Sequence, residues 1–259
     1  MNPSSPVTMT LERGLQVLRA FRAERAPLTN GELVRRTGLS KSTVSRLTST
    51  LVAMGFLRRV AGGPQFELAS GPLGIGHAYL EASAMTRLAH PFMQALADRL
   101  NVSVALAVPD HLDMLYVAYR TSTRIATLRL GVGSLLPMGL TAIGRAWLWG
   151  LPEDQRSAYV SSVVEAAGPQ AEEMRKSIEA AFEDLSRSGV CMTFGEYQRN
   201  AYGIALPIRV GSAGTLMALN CGAVELIPDI DAIRARIVPE LKAAAVELMV
   251  LLRDVGGEA

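Results

Sequence analysis

The fold of this chain is decided by residues 28–68, which read LTNGELVRRTGLSKSTVSRLTSTLVAMGFLRRVAGGPQFEL. Thr29 is followed three residues later by Glu32, the spacing of a capping box, so a helix is predicted over residues 31–37. That helix should end at Gly38, because glycine adopts the left-handed conformation of a helix C-terminus at little cost.

A second helix is predicted over residues 41–54, with Ser40 as its N-cap and Gly55 just past its end. Its apolar residues recur at helical spacing and define one face: Val44, Leu47, Leu51 and Met54. The opposite face carries two cations and several hydroxyls but no carboxylate. Two helices joined by a short turn containing glycine, the second with a basic polar face, indicate a helix-turn-helix. The alternative is a small helical hairpin with a solvated face.

A wing is predicted directly after this pair of helices. Residues 56–60 and 65–68 read as two strands, and Ala61-Gly62-Gly63-Pro64 forms the turn between them. On the second helix, arginine or lysine can pair with guanine and hydroxyls can contact bases or phosphates; the wing residues should follow the DNA backbone or minor groove. The candidate DNA-binding residues are therefore Lys41, Ser42, Thr43, Ser45, Arg46, Ser49, Arg58, Arg59 and Gln65.

The charge distribution favours two domains. Residues 1–70 hold ten Lys and Arg against four Asp and Glu, a balance of +6. Residues 71–259 hold sixteen against twenty, a balance of −4, and the two add to the net +2. A basic head on a mildly acidic body is expected when only the head meets phosphates, although chance asymmetry is the alternative.

The body reads as an α+β domain with a mostly antiparallel sheet of about six strands. Period-two alternation predicts a hairpin at 102–119, a third strand at 125–130, and strands at 190–194, 202–210 and 215–221. Residues 131–137 read as a loop. Helices are predicted near 11–25, 73–83, 84–100, 141–149, 151 onward and 170–188, and a C-terminal apolar stripe runs from Ile230 to Leu252. Pro91 should kink or restart its helix at about His90. The expected domains are 1–70 (DNA binding), 71–84 (linker helix) and 85–259 (effector binding and oligomerisation).

At this point the chain resembles the IclR family of bacterial transcriptional regulators along nearly its whole length. The resemblance rests on LERGLQVLRAF (11–21), LSKSTVSRL (39–47), GVGSLLPMGLTAIGRA (131–146) and GIALPI (203–208). It implies a winged helix-turn-helix joined by a linker helix to a GAF-like effector domain. It also implies dimers or tetramers that bind palindromic operators, act as repressors, activators or both, and respond to small organic acids or aromatic compounds.

The effector site is expected at the loop that enters the helix at Thr141. Free backbone N–H groups at a helix start form a ready anion site, and the resemblance assigns effector contacts to the small-residue turn there. The candidate effector-binding residues are Leu136, Met138, Thr141, Ala142, Ile143, Cys191, Thr193, Phe194, Tyr202, Gly203 and Cys221. Simple core packing is the alternative for each of these side chains.

The sequence departs from the family pattern beside this site. Where family members carry several carboxylates after the strand, CMTFGEYQRN (191–200) keeps only Glu196 and adds Phe194 and Tyr197. A Cys or Ser is common in the family where Gly203 stands. The pocket is therefore expected to be more apolar and aromatic, and to take an aromatic or otherwise bulkier carboxylate rather than an acid the size of glyoxylate.

The main prediction is a ligand-responsive, DNA-binding regulator of a catabolic operon, acting as a cytoplasmic repressor. The alternatives are a DNA-binding protein whose body only oligomerises, and a small-molecule enzyme, for which the body offers no paired acids or catalytic motif. No metal or cofactor is expected, because His77, His90 and His111 follow no ligand spacing. Cys191 and Cys221 read as buried, inert thiols. No apolar run reaches eighteen residues, so no membrane span is expected.

Overall fold

The computed structural model of the chain describes residues 8–21, 26–125 and 130–256. The chain divides into two compact units, Met1–Ala82 and Ser83–Ala259. Each unit has a buried apolar core of its own, as expected for separate domains.

The first unit contains a helix-turn-helix and a wing, as predicted. Its helices are α1 Met9–Arg19, α2 Asn30–Thr37 and α3 Lys41–Ala53, and its strands are β1 Leu28–Thr29, β2 Leu57–Arg59 and β3 Gln65–Leu68. The sequence did not predict β1, which pairs antiparallel with β3 through Leu28 and Phe66. The wing is therefore a three-stranded sheet in the order β1-β3-β2.

The local signals at α2 and α3 act as the sequence predicted. The Thr29 hydroxyl accepts the Glu32 N–H at 3.2 Å, and the Glu32 carboxylate accepts the Thr29 N–H at 2.7 Å. Gly38 ends α2 with φ of +67°, a conformation that glycine adopts without a Cβ clash. The turn to α3 is therefore three residues long, and it brings Leu33 of α2 and Val44 of α3 into one core with Phe66.

The first helix differs from the prediction. It begins at Met9 and ends at Arg19, whereas the sequence indicated residues 11–25; residues 22–25 lie outside the described ranges. Val17 is the residue of α1 that is fully buried. Leu11 and Leu15 of the same helix are 64% and 51% exposed.

Two helices follow the wing: α4 Gly71–Ala82 and α5 Ala84–Leu100. Pro91 lies inside α5, yet the helix is continuous and does not restart at His90. Ser83 separates the two helices and caps α5, since its hydroxyl accepts the Thr86 N–H at 3.1 Å. The cap and a buried row from Met85 to Leu100 hold α5 together despite the hydrogen bond that proline removes.

The second unit is built on the predicted six-stranded sheet, and every neighbouring pair is antiparallel. Its strands are β4 Ser103–Asp110, β5 Asp113–Thr121, β6 Leu135–Pro137, β7 Cys191–Phe194, β8 Ala201–Val210 and β9 Thr215–Val224. They lie in the order β6-β5-β4-β9-β8-β7. The strand expected at 125–130 falls mainly on residues 126–129, outside the described ranges, while Ile125 and Leu130 are not in a strand. The edge strand β6 lies instead in the segment predicted as a loop.

Helices cover both faces of this sheet. One face packs on α6 Ala142–Gly150, α7 Glu153–Ala166 and α8 Ala171–Ser188, and the other on α5 and α9 Ile230–Leu251. Strand alternation sends Val104 and Leu106 to the α5/α9 core and Ala105 and Ala107 to the α6–α8 core. Within the described ranges, no helix is long and apolar enough to cross a bilayer.

Candidate DNA-binding helix and ligand cavity

Helix α3 presents the polar face that the sequence predicted for DNA contact. The hydroxyl of the N-cap Ser40 accepts the Thr43 N–H at 3.3 Å, which fixes the first turn of the helix. Thr43 itself is half-buried. The other predicted residues on this face are exposed: Lys41, Ser42, Ser45, Arg46 and Ser49. No described carboxylate forms an ion pair with Lys41 or Arg46. Both cations are therefore available to phosphates or base edges.

The two cations of the wing have partners within the wing. Arg58 forms an ion pair with Glu67 on the paired strand at 3.0 Å, and the Arg59 guanidinium lies 4.8 Å from the centre of the Phe66 ring. Gln65 is half-buried. An exposed ion pair is weak, so Arg58 can still reach a phosphate, but its charge is partly compensated in the free protein.

A cavity lies in the second unit, on the face of the sheet that packs on α6. The space within it, together with the open solvent at its mouth, amounts to about 560 Å³. Seven of the eleven predicted effector residues line it: Leu136, Thr141, Ala142, Ile143, Thr193, Tyr202 and Gly203. The sequence reasoning had not assigned several further lining residues to the site, among them Tyr116, Tyr119, Gln198 and Asn220.

The N-terminus of α6 enters the cavity wall with two free donors. The Thr141 hydroxyl accepts the Gly144 N–H at 3.3 Å and donates to the Pro137 carbonyl at 2.8 Å. This cap uses the third N–H of the helix and leaves those of Ala142 and Ile143 without an intrahelical partner. Gly144 allows the helix to start here, because a Cβ at this position would lie only 2.3 Å from the Met138 backbone.

Polar side chains converge on Gly203 at the floor of the cavity. A Cβ on Gly203 would lie 3.1 Å from Asn220 Oδ1 and 3.6 Å from Thr193 Oγ1. Asn220 and Thr193 are each only 7% exposed, and neither side chain hydrogen-bonds to a described residue. Buried polar groups normally have partners. Asn220 is the one amide in the apolar run TLMALNCGAV (215–224), a signal that could have identified it from sequence.

Two tyrosines of β5 add an aromatic wall. The rings of Tyr116 and Tyr119 stack with centroids 5.9 Å apart and 17° between planes. Tyr116 is 3% exposed, and burial, with Tyr119 and Tyr197 nearby, raises the pKa of its phenol. The group therefore stays a neutral hydroxyl that can both donate and accept.

Four of the predicted effector residues do not line this cavity. Met138 and Cys191 are buried in the α6–α8 core. Strand alternation directs Phe194 and Cys221 to the opposite core, beside α5 and α9. The two thiols therefore lie on opposite faces of the sheet and are not neighbours. Burial raises the pKa of each thiol to about 12.

A partly buried ion pair lies at the cavity wall. Both terminal nitrogens of Arg145 donate to the Glu196 carboxylate, at 3.1 and 2.5 Å, and Nε donates to the Gly139 carbonyl at 2.8 Å. Arg145 is 3% exposed and Glu196 is 34% exposed. Glu196 also lines the cavity. The described residues include no cluster of side chains suited to a metal ion.

A chain that carries both a winged helix-turn-helix and a second domain with a polar-floored cavity fits the class of two-domain DNA-binding regulators. Residues 10–61 match the family model for the IclR helix-turn-helix domain, and residues 77–249 match the bacterial transcriptional regulator IclR C-terminal domain. The chain belongs to the IclR family of transcriptional regulators, a family of regulators rather than enzymes.

Relatives and solved structures agree with this assignment. The transcriptional regulator TsaQ1/TsaQ2 of Comamonas testosteroni is 31% identical over 199 residues, covering 76% of this chain and 71% of that protein. An IclR family regulator from Brucella abortus is 32% identical, covers 96% of this chain and 95% of its own, and has a TM-score of 0.85. An IclR homologue from Microbacterium hydrocarbonoxydans, solved with 4-hydroxybenzoate, has a TM-score of 0.63, 22% identity, and coverage of 94% and 98%.

Proposed function

We propose that this regulator is a repressor whose DNA binding is controlled by a small organic acid, most suitably an aromatic carboxylate, and that it governs a catabolic operon. The observation that carries the proposal is the cavity at the start of α6. There, two free backbone donors meet two buried polar side chains, Thr193 and Asn220, that no described residue satisfies. A ligand with hydrogen-bonding groups would satisfy them.

The cavity favours an anion without using a cation. Among the described lining residues there is no lysine, arginine or histidine. In this proposal the N–H groups of Ala142 and Ile143 donate to the carboxylate, and the helix dipole adds a positive potential at the same place. Asn220 and Thr193 can donate further hydrogen bonds to that carboxylate. Binding through neutral donors lets the acid leave again, as a reversible signal requires.

The walls favour a ring over a short acid. Tyr116 and Tyr119 present a stacked aromatic surface, and Leu130 and Leu136 add apolar area. Aromatic ligands gain from offset or edge contacts with such rings. The Microbacterium homologue bound to 4-hydroxybenzoate supports this choice of ligand class.

Operator binding is proposed to use the exposed face of α3, with the wing on the backbone. Two copies would read a pseudo-palindromic operator whose half-sites lie about one helical turn apart. Exposed apolar side chains on α1 and α4 support self-association as a dimer or tetramer: Met9, Leu11, Leu15, Leu73, Ile75 and Tyr79. In this proposal residues 1–70 bind DNA, 71–84 link, and 85–259 bind the effector and oligomerise, in the cytoplasm where the operator lies.

We propose repression rather than activation because a bound dimer blocks a promoter simply by occupying it, whereas an activator also needs a surface that contacts the transcription machinery. The acid would release the operator only if it binds more tightly to the arrangement that does not fit DNA.

The test is a thermal shift against matched acids. Benzoate and 4-hydroxybenzoate should raise the melting temperature by about 5–10 °C at a hundred times their dissociation constants, while glyoxylate should raise it less. The stabilising acid should then release the protein from DNA upstream of its own gene in a mobility-shift assay. If no organic acid stabilises the protein, the second domain serves only for oligomerisation.

A further inference from the structure

The loop of residues 195–200, which we name the cover loop, joins β7 to β8 and forms part of the cavity wall. Glu196, Tyr197 and Gln198 line the cavity although the loop is exposed to solvent on its other side. Its ends are joined, because the Gly195 N–H donates to the Ala201 carbonyl at 2.8 Å. The cover loop is thus a defined turn rather than an open connection.

The cover loop extends across the face of the sheet. It starts at the edge strand β7, whereas Tyr116 lies on β5, four strands away in the sheet order. Along a flat sheet that separation would be about 19 Å, at about 4.8 Å per strand. Tyr197 nevertheless lines the same cavity as Tyr116. The cover loop and the curl of the sheet therefore enclose the cavity between them.

One side chain ties the cover loop down. Glu196 forms the bidentate pair with Arg145 of α6, whose Nε is held by the Gly139 carbonyl in the turn before that helix. In the described part of the chain, no other side chain of the cover loop forms a hydrogen bond or ion pair. Bidentate arginine–carboxylate pairs combine strength with fixed geometry.

We propose that Arg145 is a positioning residue of the ligand cavity, which holds the cover loop closed through Glu196. Separation of the pair would let the cover loop leave the cavity wall. It also neutralises the carboxylate that lines the cavity, so an anionic ligand meets no free negative charge from Glu196. The identity of the ligand rests on the proposed function above, but the closed loop does not.

Trypsin cleavage after Arg199, an exposed residue of the cover loop, measures the opening directly. Glu196→Gln keeps the side-chain length but turns one acceptor into a donor that faces the guanidinium. We expect the fragment ending at Arg199 to form about tenfold faster than in the wild type, which corresponds to about 1.4 kcal/mol. Glu172→Gln is the matched control, because it breaks an exposed pair with Lys176 (3.4 Å) and should leave the rate unchanged.

Variants of Arg145 distinguish a role in positioning the cover loop from a role in packing alone. Arg145→Lys keeps the charge but loses the fork, so its cleavage rate should lie between those of the wild type and Arg145→Gln at equal melting temperature. Wild-type cleavage in Glu196→Gln, or equal rates in the two Arg145 variants, would overturn the proposal. In the wild type, 4-hydroxybenzoate should slow cleavage; if it does not, while Glu196→Gln remains fast, only the proposed ligand class fails.

Discussion

The Cβ of Ala142 lies 3.5 Å from the point that a Cβ on Gly203 would occupy. The first turn of α6 and the middle of β8 therefore approach each other across the deepest part of the cavity. Because Gly203 has no side chain, a space remains between the free donors of α6 and the polar pair Thr193 and Asn220.

Filling that space should abolish ligand binding. Gly203 is in a strand without a left-handed φ, so Gly203→Val is compatible with the backbone and adds a strand-favouring residue. We expect the ligand-dependent rise in melting temperature to vanish, since the valine methyl groups would occupy the ligand's place. The control Leu226→Ala removes an exposed side chain (81%) in the same unit and should keep the full rise.

Removal of Arg46, one of the two cations of α3, should abolish operator binding without unfolding the protein. Arg46 is exposed and unpaired with any described carboxylate, so Arg46→Ala removes a DNA contact but no internal one. Arg58→Ala should have a smaller effect, because Arg58 already shares its charge with Glu67. A mobility shift at physiological salt, together with a circular dichroism melt, checks both; an unchanged shift for Arg46→Ala would contradict the assignment of α3.

Tyr116→Phe should change the affinity for one ligand without lowering the melting temperature of the free protein. Tyr116 is 3% exposed, and no described residue forms a hydrogen bond with its hydroxyl. Without ligand, its loss should therefore leave the melting temperature unchanged or slightly higher. If the hydroxyl contacts the ligand, the variant should lose affinity for 4-hydroxybenzoate by about tenfold relative to benzoate. Calorimetric titration of both acids measures the ratio, and an equal loss for both would argue against a direct contact.

The buried thiols should make the fold less stable at high pH. Cys191 and Cys221 have pKa values raised from 9.0 to about 12, so the unfolded chain loses these protons first. The stabilisation is fully present below pH 9 and is lost progressively between about pH 9 and pH 12. Urea unfolding at pH 8 and pH 10.5 should show a decrease that is smaller in Cys191→Ala/Cys221→Ala. In the folded protein both thiols should resist a thiol reagent at pH 8.

Much of the N-terminal unit could be predicted because its signals are local. Thr29, Glu32 and Gly38 act within one helical turn of each other, and the apolar period of α3 is visible over thirteen residues. The two-residue strand β1 was missed because it exists only by pairing with β3, almost forty residues later. The same limit explains β6, whose three residues show no alternation of their own and follow the register of β5.

Sequence by itself indicated the family, the helix-turn-helix, five of the six sheet strands and the start of α6, since caps, hydrophobic periods and motifs act over short distances. Tertiary structure decided which side chains share the cavity. Thr193, Gly203 and Asn220 come together only through the pairing of β7, β8 and β9, and strand alternation turns Cys221 away from them. The tertiary structure also brings Arg145 to Glu196, which is fifty-one residues away in the sequence. A buried charge without a partner is costly, so Arg145 needs the carboxylate that the fold places next to it.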